Sequence, residues 1–287
     1  MVALCISARF YKWRLKVKEI HTSMRILLIV CLVFACIGLA QTAFATTVPS
    51  LRALGCNAWS SDIYDGDGPP DNLTVSLSTP TLQGDMLIAV MNWPHGRDEG
   101  AQMTTPPGWT TLLCAASPHG FVWYRNSPGG ESSFQFDFPF TSYGFGVAVF
   151  DFSANGSPVS ICSYASSLIN WGNGGAGITG TLQRTITLPS INSTASSALL
   201  AQIYSSHVLQ DATSYTQTLS VPVVGQLTPI TAFSTQTRAS ASEYSYWNYC
   251  HPIGAGDTGD CLATHTVSAG VNPNLSEWSF MLALSAP

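Results

Sequence analysis

The chain has 287 residues, 46% of them hydrophobic and 9% charged, with a formal net charge of −5 at neutral pH. That apolar content is ample for a core and excludes a disordered chain, which needs low hydrophobicity and high net charge. Six of the eleven basic residues lie before residue 26; past residue 45, five arginines face fifteen acids, a balance of −10 that repels phosphate backbones and argues against nucleic-acid binding.

Residues 26–40, ILLIVCLVFACIGLA, form an unbroken apolar run behind Arg25, followed by Ala43-Phe44-Ala45 with small residues where a signal peptidase reads. The pattern predicts a secretory signal over residues 1–45, helical, cleaved after Ala45. The rival is a membrane anchor, but fifteen apolar residues fall short of the roughly 20 that span a bilayer. The basic leader is long for a signal, so Met24 is an alternative start. Export implies an oxidising compartment, extracellular or periplasmic, where disulfides persist. Cys250 and Cys261 flank a Gly-rich loop and are the expected pair; Cys56, Cys114 and Cys162 leave one bridge and one spare thiol, with the pairing open.

Residues 46–71 read as a lead-in: LRALGCNAW as a first strand, then the acidic turn-rich loop SDIYDGDGPPD. A first half, 72–154, carries alternating runs at 73–79, 86–93, 109–116, 121–126, 133–138 and 145–153, separated by Gly, Pro and Asn turns. The run 86–93, MLIAVMNW, is apolar on both alternating faces, as for a strand buried between two layers, and Gly84-Asp85 starts it as a turn. Pro106 and Pro107 fix the backbone before Gly108, which permits a sharp corner that drops Trp109 into the core. Residues 155–182 read as a Gly, Ser and Asn-rich bridge.

The pattern then restarts over 183–287. TITLPS echoes LTVSLST, and SALLAQIYSS echoes GDMLIAVMNW, with Leu87, Ile88 and Ala89 falling on Leu199, Leu200 and Ala201. ITAFSTQTR (230–238) echoes FVWYR, and in the closing run Ala148, Phe150 and Phe152 fall on Phe280, Leu282 and Leu284. The second half is longer by about twenty residues, which this alignment places as an insertion around 241–261. The fold expected is all-β: an antiparallel β-sandwich, jelly-roll-like, built from two related halves in one body over 72–287.

The segments GDMLIAVMNW, TPPGWTTL, FVWYRNSPGGESSFQFDF and GVAVFDFSA resemble the β-sandwich domains of many secreted bacterial proteins and of phage tail-fibre or virion-surface proteins. The resemblance covers roughly 72–287, with its specific motifs in 84–152. It implies a surface or appendage module, carries over no catalytic residues, and leaves the ligand open. The acidic loop and the cysteine-flanked segment depart from the family pattern.

Asp62, Asp65, Asp67 and Asp71 cluster hard oxygen ligands on a turn, a possible calcium site, although the spacing is not that of an EF-hand and an Asp-Gly turn explains it too. Asp257 and Asp260 are a weaker pair of the same kind. Tyr244, Tyr246, Trp247 and Tyr249, with Trp93, are candidates for stacking on sugar rings; core packing is their ordinary use. The five histidines past the leader are isolated, and no H-E-x-x-H or G-x-S-x-G motif occurs. Asp98, Glu99, Glu131 and Asp137 are the acids that a glycosidase reading would pair. The expected function is therefore non-enzymatic: a secreted surface module binding glycans or cell surfaces in an appendage or virion exterior. The alternatives are a secreted carbohydrate hydrolase and a purely structural, self-associating shell or fibre component.

Overall fold

A computed structural model describes residues 47–60, 72–93, 104–116, 119–137, 144–170, 180–209, 215–220, 231–239, 242–269 and 274–287. The expected signal, the expected acidic loop and residues 94–103 lie outside the described residues. Among the described residues there are seventeen strands and no helix. The described part is all-β and its sheets are antiparallel throughout.

Seven strands come first: β1 (Ser50–Ser60), β2 (Asn72–Ser76), β3 (Met86–Trp93), β4 (Thr110–Ala116), β5 (His119–Asn126), β6 (Ser133–Asp137) and β7 (Gly144–Ser153). Five of them form a sheet in the order β1-β7-β3-β5-β4, and β2 and β6 pair separately. The next ten are β8 (Ser160–Asn170), β9 (Gly180–Leu188), β10 (Asn192–Ser193), β11 (Ala198–Leu209), β12 (Tyr215–Ser220), β13 (Thr231–Ala239), β14 (Ser242–Ile253), β15 (Gly256–Asp257), β16 (Cys261–Ala269) and β17 (Asn274–Ser285). They give a second five-stranded sheet, β13-β14-β11-β17-β8, a three-stranded sheet, β12-β16-β9, and the short pair β10-β15.

Side-chain alternation assigns each face. On β3, Met86, Ile88 and Val90 join one buried cluster, while Leu87, Ala89 and Met91 join another. The first cluster is shared with the second large sheet: Leu199, Ala201 and Ile203 of β11, Tyr246 and Cys250 of β14, and Phe280, Leu282 and Leu284 of β17 belong to it. In the second cluster, Leu73, Val75, Phe134 and Phe136 of the β2–β6 pair cover the other face of the first sheet. A third cluster sets Ile186, Leu188 and Ala263 of the three-stranded sheet against Leu200, Tyr204, Trp247 and Met281. Each large sheet is thus apolar on both faces because both are covered. Full burial of one such Val, Leu or Phe side chain contributes about 1.5–3 kcal/mol.

The strand at 86–93 falls where its two apolar faces predict. Four expectations are corrected. The stretch 155–182 is not a plain bridge, since β8 lies in it and forms a sheet edge. The stretch 241–261 is not an insertion, since β14 runs through it between β13 and β11. Residues 231–239 form an edge strand beside β14, as β4 does beside β5, whereas FVWYR lies in β5, an inner strand. The expected match of Leu87 with Leu199 also joins residues on different faces of their sheets. Leu87 faces the outer cluster of the first sheet and Leu200 that of the second, whereas Leu199 faces the shared core with Met86. A one-residue slip in a strand exchanges its faces, and a strand apolar on both gives no warning of it.

Candidate functional site

The most concentrated chemistry among the described residues is a buried ionic cluster made by Arg52, Asp85 and Asp151. Arg52 stands on β1 at a bulge, where the pairing with β7 steps from Leu51 to Ala53. An extra residue at a bulge re-aims its side chain, and Arg52 reaches two carboxylates. Its Nε donates to Asp151 Oδ2 at 3.1 Å, and Nη2 lies 2.9 Å from the same oxygen and 3.3 Å from Asp85 Oδ2. Nη2 also donates to the Pro80 carbonyl. Asp85 caps its own turn by accepting from the Leu82 amide at 2.6 Å. Both carboxylates are wholly buried, and Oδ1 of each has no hydrogen-bond partner. Burial, then the neighbouring Asp85 charge, push Asp151 up to about 7 against the opposing pull of Arg52.

Sequence reasoning missed this cluster. Asp85 reads there only as part of a turn, and Asp151 as a strand residue. The available signal was a lone acid inside the apolar run FGVAVFDFS, at a position whose alternation places it on a covered face.

The Pro-Pro-Gly-Trp corner forms as its residues dictate. The Trp109 amide donates to the Pro106 carbonyl at 3.0 Å, and Gly108 has φ 78°. Proline second and a positive-φ glycine third are the pattern of a type II turn. Trp109 is half-buried rather than dropped into the core. Its ring lies 6.1 Å from Phe134 and 5.7 Å from Phe136, with the Arg125 guanidinium 5.0 Å above it. Glu131 fixes that guanidinium at 2.5 Å. Gly84 has φ 86°, and the amide at that position donates to the Ser127 carbonyl, which ties the start of β3 to the turn after β5. The Gly-Asp, Pro-Pro-Gly-Trp and Tyr-Arg motifs are therefore joined by a single staple of turns.

The aromatic group is separated by the pleat of β14. Tyr246 is fully buried in the shared core, and Trp247 is 6% exposed in the cluster on the opposite face. Tyr249 is half-buried, edge-on to Tyr204 at 6.1 Å, and burial raises both phenols above their ordinary range. These three rings pack the interior of the fold and do not line up as one exposed platform. The side chains of Trp93 and Tyr244 lie outside the described residues.

The expected Cys250–Cys261 bridge is not formed. Cys250 points into the shared core and Cys261 into the cluster beyond the second sheet, so the sheet itself stands between them. Burial pushes the Cys250 thiol up to about 12 and raises that of Cys261. Such thiols are poor nucleophiles. Cys162 contacts Ser285 Oγ at 2.8 Å.

Asp62, Asp65, Asp67 and Asp71 lie outside the described residues, as do Asp98 and Glu99. Asp257 Oδ1 accepts from the Gly259 amide within its own turn, and Asp260 Oδ1 accepts from the Ser190 amide, tying the start of β16 to the end of β9. Glu131 precedes β6 and Asp137 ends it. The strand between them spans about 13 Å, beyond the 5–10 Å of a glycosidase pair.

The fold defines the chain as an all-β domain of antiparallel sheets, and no family is assigned. No family model matches it, and no curated protein matches it. Among solved structures, a chain of infectious bursal disease virus Gt strain aligns at 10% identity with a TM-score of 0.14, covering 84% of this chain and 64% of that one. A chain of the Gx strain aligns at 12% identity with a TM-score of 0.13, covering 84% and 66%. The chain thus spans under two thirds of the length of both viral chains.

Proposed function

We propose that the protein is an exported, non-enzymatic surface module: a jelly-roll-like β-sandwich of two related halves, with recognition of glycans or cell-surface ligands on its loops. What supports the two halves is one observation of strand order. Read from opposite edges, the large sheets run β1-β7-β3-β5-β4 and β8-β17-β11-β14-β13, and β2-β6 has its counterpart in β9-β16. Register agrees with order. The bulge at Arg52 in β1 recurs at Cys162 in β8. Met86 pairs with Phe152 as Leu199 pairs with Leu284. Counted the same way, Asn92 corresponds to Ser205, and Asn92 Nδ2 donates to Ser205 Oγ at 3.0 Å. Equivalent positions touch one another only at a two-fold axis, here one relating two parts of a single chain.

What supports the surface-module reading is where the reactive side chains lie. The rings, thiols and most of the acids described above hold turns and sheets together. A rigid body of this kind leaves specificity to loops. The segment 241–261 does not serve as the recognition loop, because β14 is an inner strand. The acidic loop from Asp62 to Asp71 takes that place in the proposal, with calcium as its ion.

The test is a glycan-array and cell-binding screen of the purified protein, with calcium and again with chelator, beside sedimentation analysis. Calcium-dependent capture of one glycan class supports the reading. Self-association without any ligand favours the structural shell component, and cleavage of glycosidic bonds would overturn both.

A further inference from the structure

We propose that Asp85 and Asp151 share a single proton, and that this proton holds edge strand β1 on the first sheet through Arg52. The strand is then clasped most firmly at acidic pH and most loosely from neutrality upward.

The geometry requires a donor that the ionised cluster lacks. Arg52 and the Leu82 amide serve Oδ2 of the two carboxyls, and Oδ1 of each is buried with no donor. The two carboxyls converge on one nitrogen, with Oδ2 of Asp151 at 2.9 Å and Oδ2 of Asp85 at 3.3 Å from Arg52 Nη2. Two carboxylates are acceptors only, and one proton turns one of them into a donor to the other. It also brings two negative charges and one guanidinium to neutrality where both carboxylates are wholly buried, and like charges exclude each other most strongly when buried.

Among the described residues no other charge competes for that role. From β1 the cluster is faced by Arg52 alone, and from the start of β3 by Asp85. At the end of β5, Ser127 donates its amide to the Asp85 carbonyl, and the nearby Arg125 and Glu131 pair with each other. In the covering pair of strands, β2 has no charged residue, and the Asp137 carboxylate of β6 is exposed and bonded to Gln135.

The sign follows from the direction of the shift. The folded-state value of Asp151 is raised, from 3.8 to about 7. The favourable contribution is complete below about pH 4, falls as pH rises toward 7, and is level above that. If opening of β1 exposes the pair, the opening equilibrium grows by up to about tenfold per pH unit across that window. The fold supplies an internal control. At the corresponding places in the second sheet stand Cys162, Ala198 and Ala283, with no carboxylate.

The experiment is amide hydrogen exchange of the purified protein from about pH 4 to about pH 9, corrected for intrinsic rates. Protection of β1 amides is expected to fall by up to about tenfold per unit below neutrality, with β8 flat. Asp151→Asn and Asp85→Asn, which replace the shared proton by a permanent amide donor, are expected to abolish the slope. A flat β1 profile in the wild type, or a slope that survives in both variants, overturns the proposal. Infrared difference spectra of the wild type test it without any variant. A protonated, buried carboxyl band that disappears near neutrality is expected, and its absence refutes the shared proton.

Discussion

Gly120→Ala probes the contact between the two large sheets at one atom. A Cβ added at Gly120 of β5 would stand 1.8 Å from Cζ3, 1.9 Å from Cε3 and 2.7 Å from Cη2 of Trp278 on β17. Trp278 is 3% exposed, lies in the shared core and packs against Phe280 at 6.3 Å. Its rigid indole cannot yield by rotating a flexible tip. Overpacking a core costs typically about 1–3 kcal/mol, and an overlap with three ring atoms belongs at or above the top of that range. Without the indole the same change would stabilise by about 0.4–1 kcal/mol, through lost freedom of the unfolded chain. The two cases differ in sign. Urea denaturation reads the change as a shift in midpoint at constant slope. Trp278→Leu alone opens a cavity and is expected to cost about 2–4 kcal/mol, but in the Gly120→Ala background it should cost far less. An unchanged or raised midpoint for Gly120→Ala, or strict additivity in the double variant, would refute the packing of these sheets on one another.

Three further outcomes are expected. Gly55→Ala would place a Cβ 2.1 Å from the Ser76 carbonyl oxygen, a backbone atom, so calorimetry should show a loss of about 2–3 kcal/mol where β1 crosses β2. Arg52→Ala leaves Asp85 and Asp151 buried without their cation and should cost about 3–5 kcal/mol at neutral pH, and less in acid, as read from denaturant midpoints at two pH values. Cys250 and Cys261 should react with an alkylating reagent only after unfolding, and a reductant should leave the melting temperature unchanged, as mass spectrometry and calorimetry can check.

Much of the fold was legible because its signals are local. The limits of β3 follow from the Gly84-Asp85 turn and the apolar run behind it, and the corner at Pro106–Trp109 follows from proline and glycine dihedral limits. What escaped depends on partners distant in sequence. Arg52 and Asp151 are 99 residues apart, and nothing local to either announces the other. The β14 strand was misread because its aromatic residues serve both faces, so no alternation of polar and apolar residues marks it. The same two-sided burial hides which face each residue of β3 and β11 takes. The disulfide was misjudged because spacing along the chain says nothing of which face of a sheet a cysteine takes.

The central claim is that the two five-stranded sheets meet across a two-fold relation that passes between β3 and β11. The most direct measurement is a nuclear Overhauser contact from the side-chain amide protons of Asn92 to the β-protons of Ser205, whose polar atoms lie 3.0 Å apart. The account predicts a strong contact and a slowly exchanging amide. An Asn92 amide that exchanges freely, with contacts only to its own sheet, would contradict it.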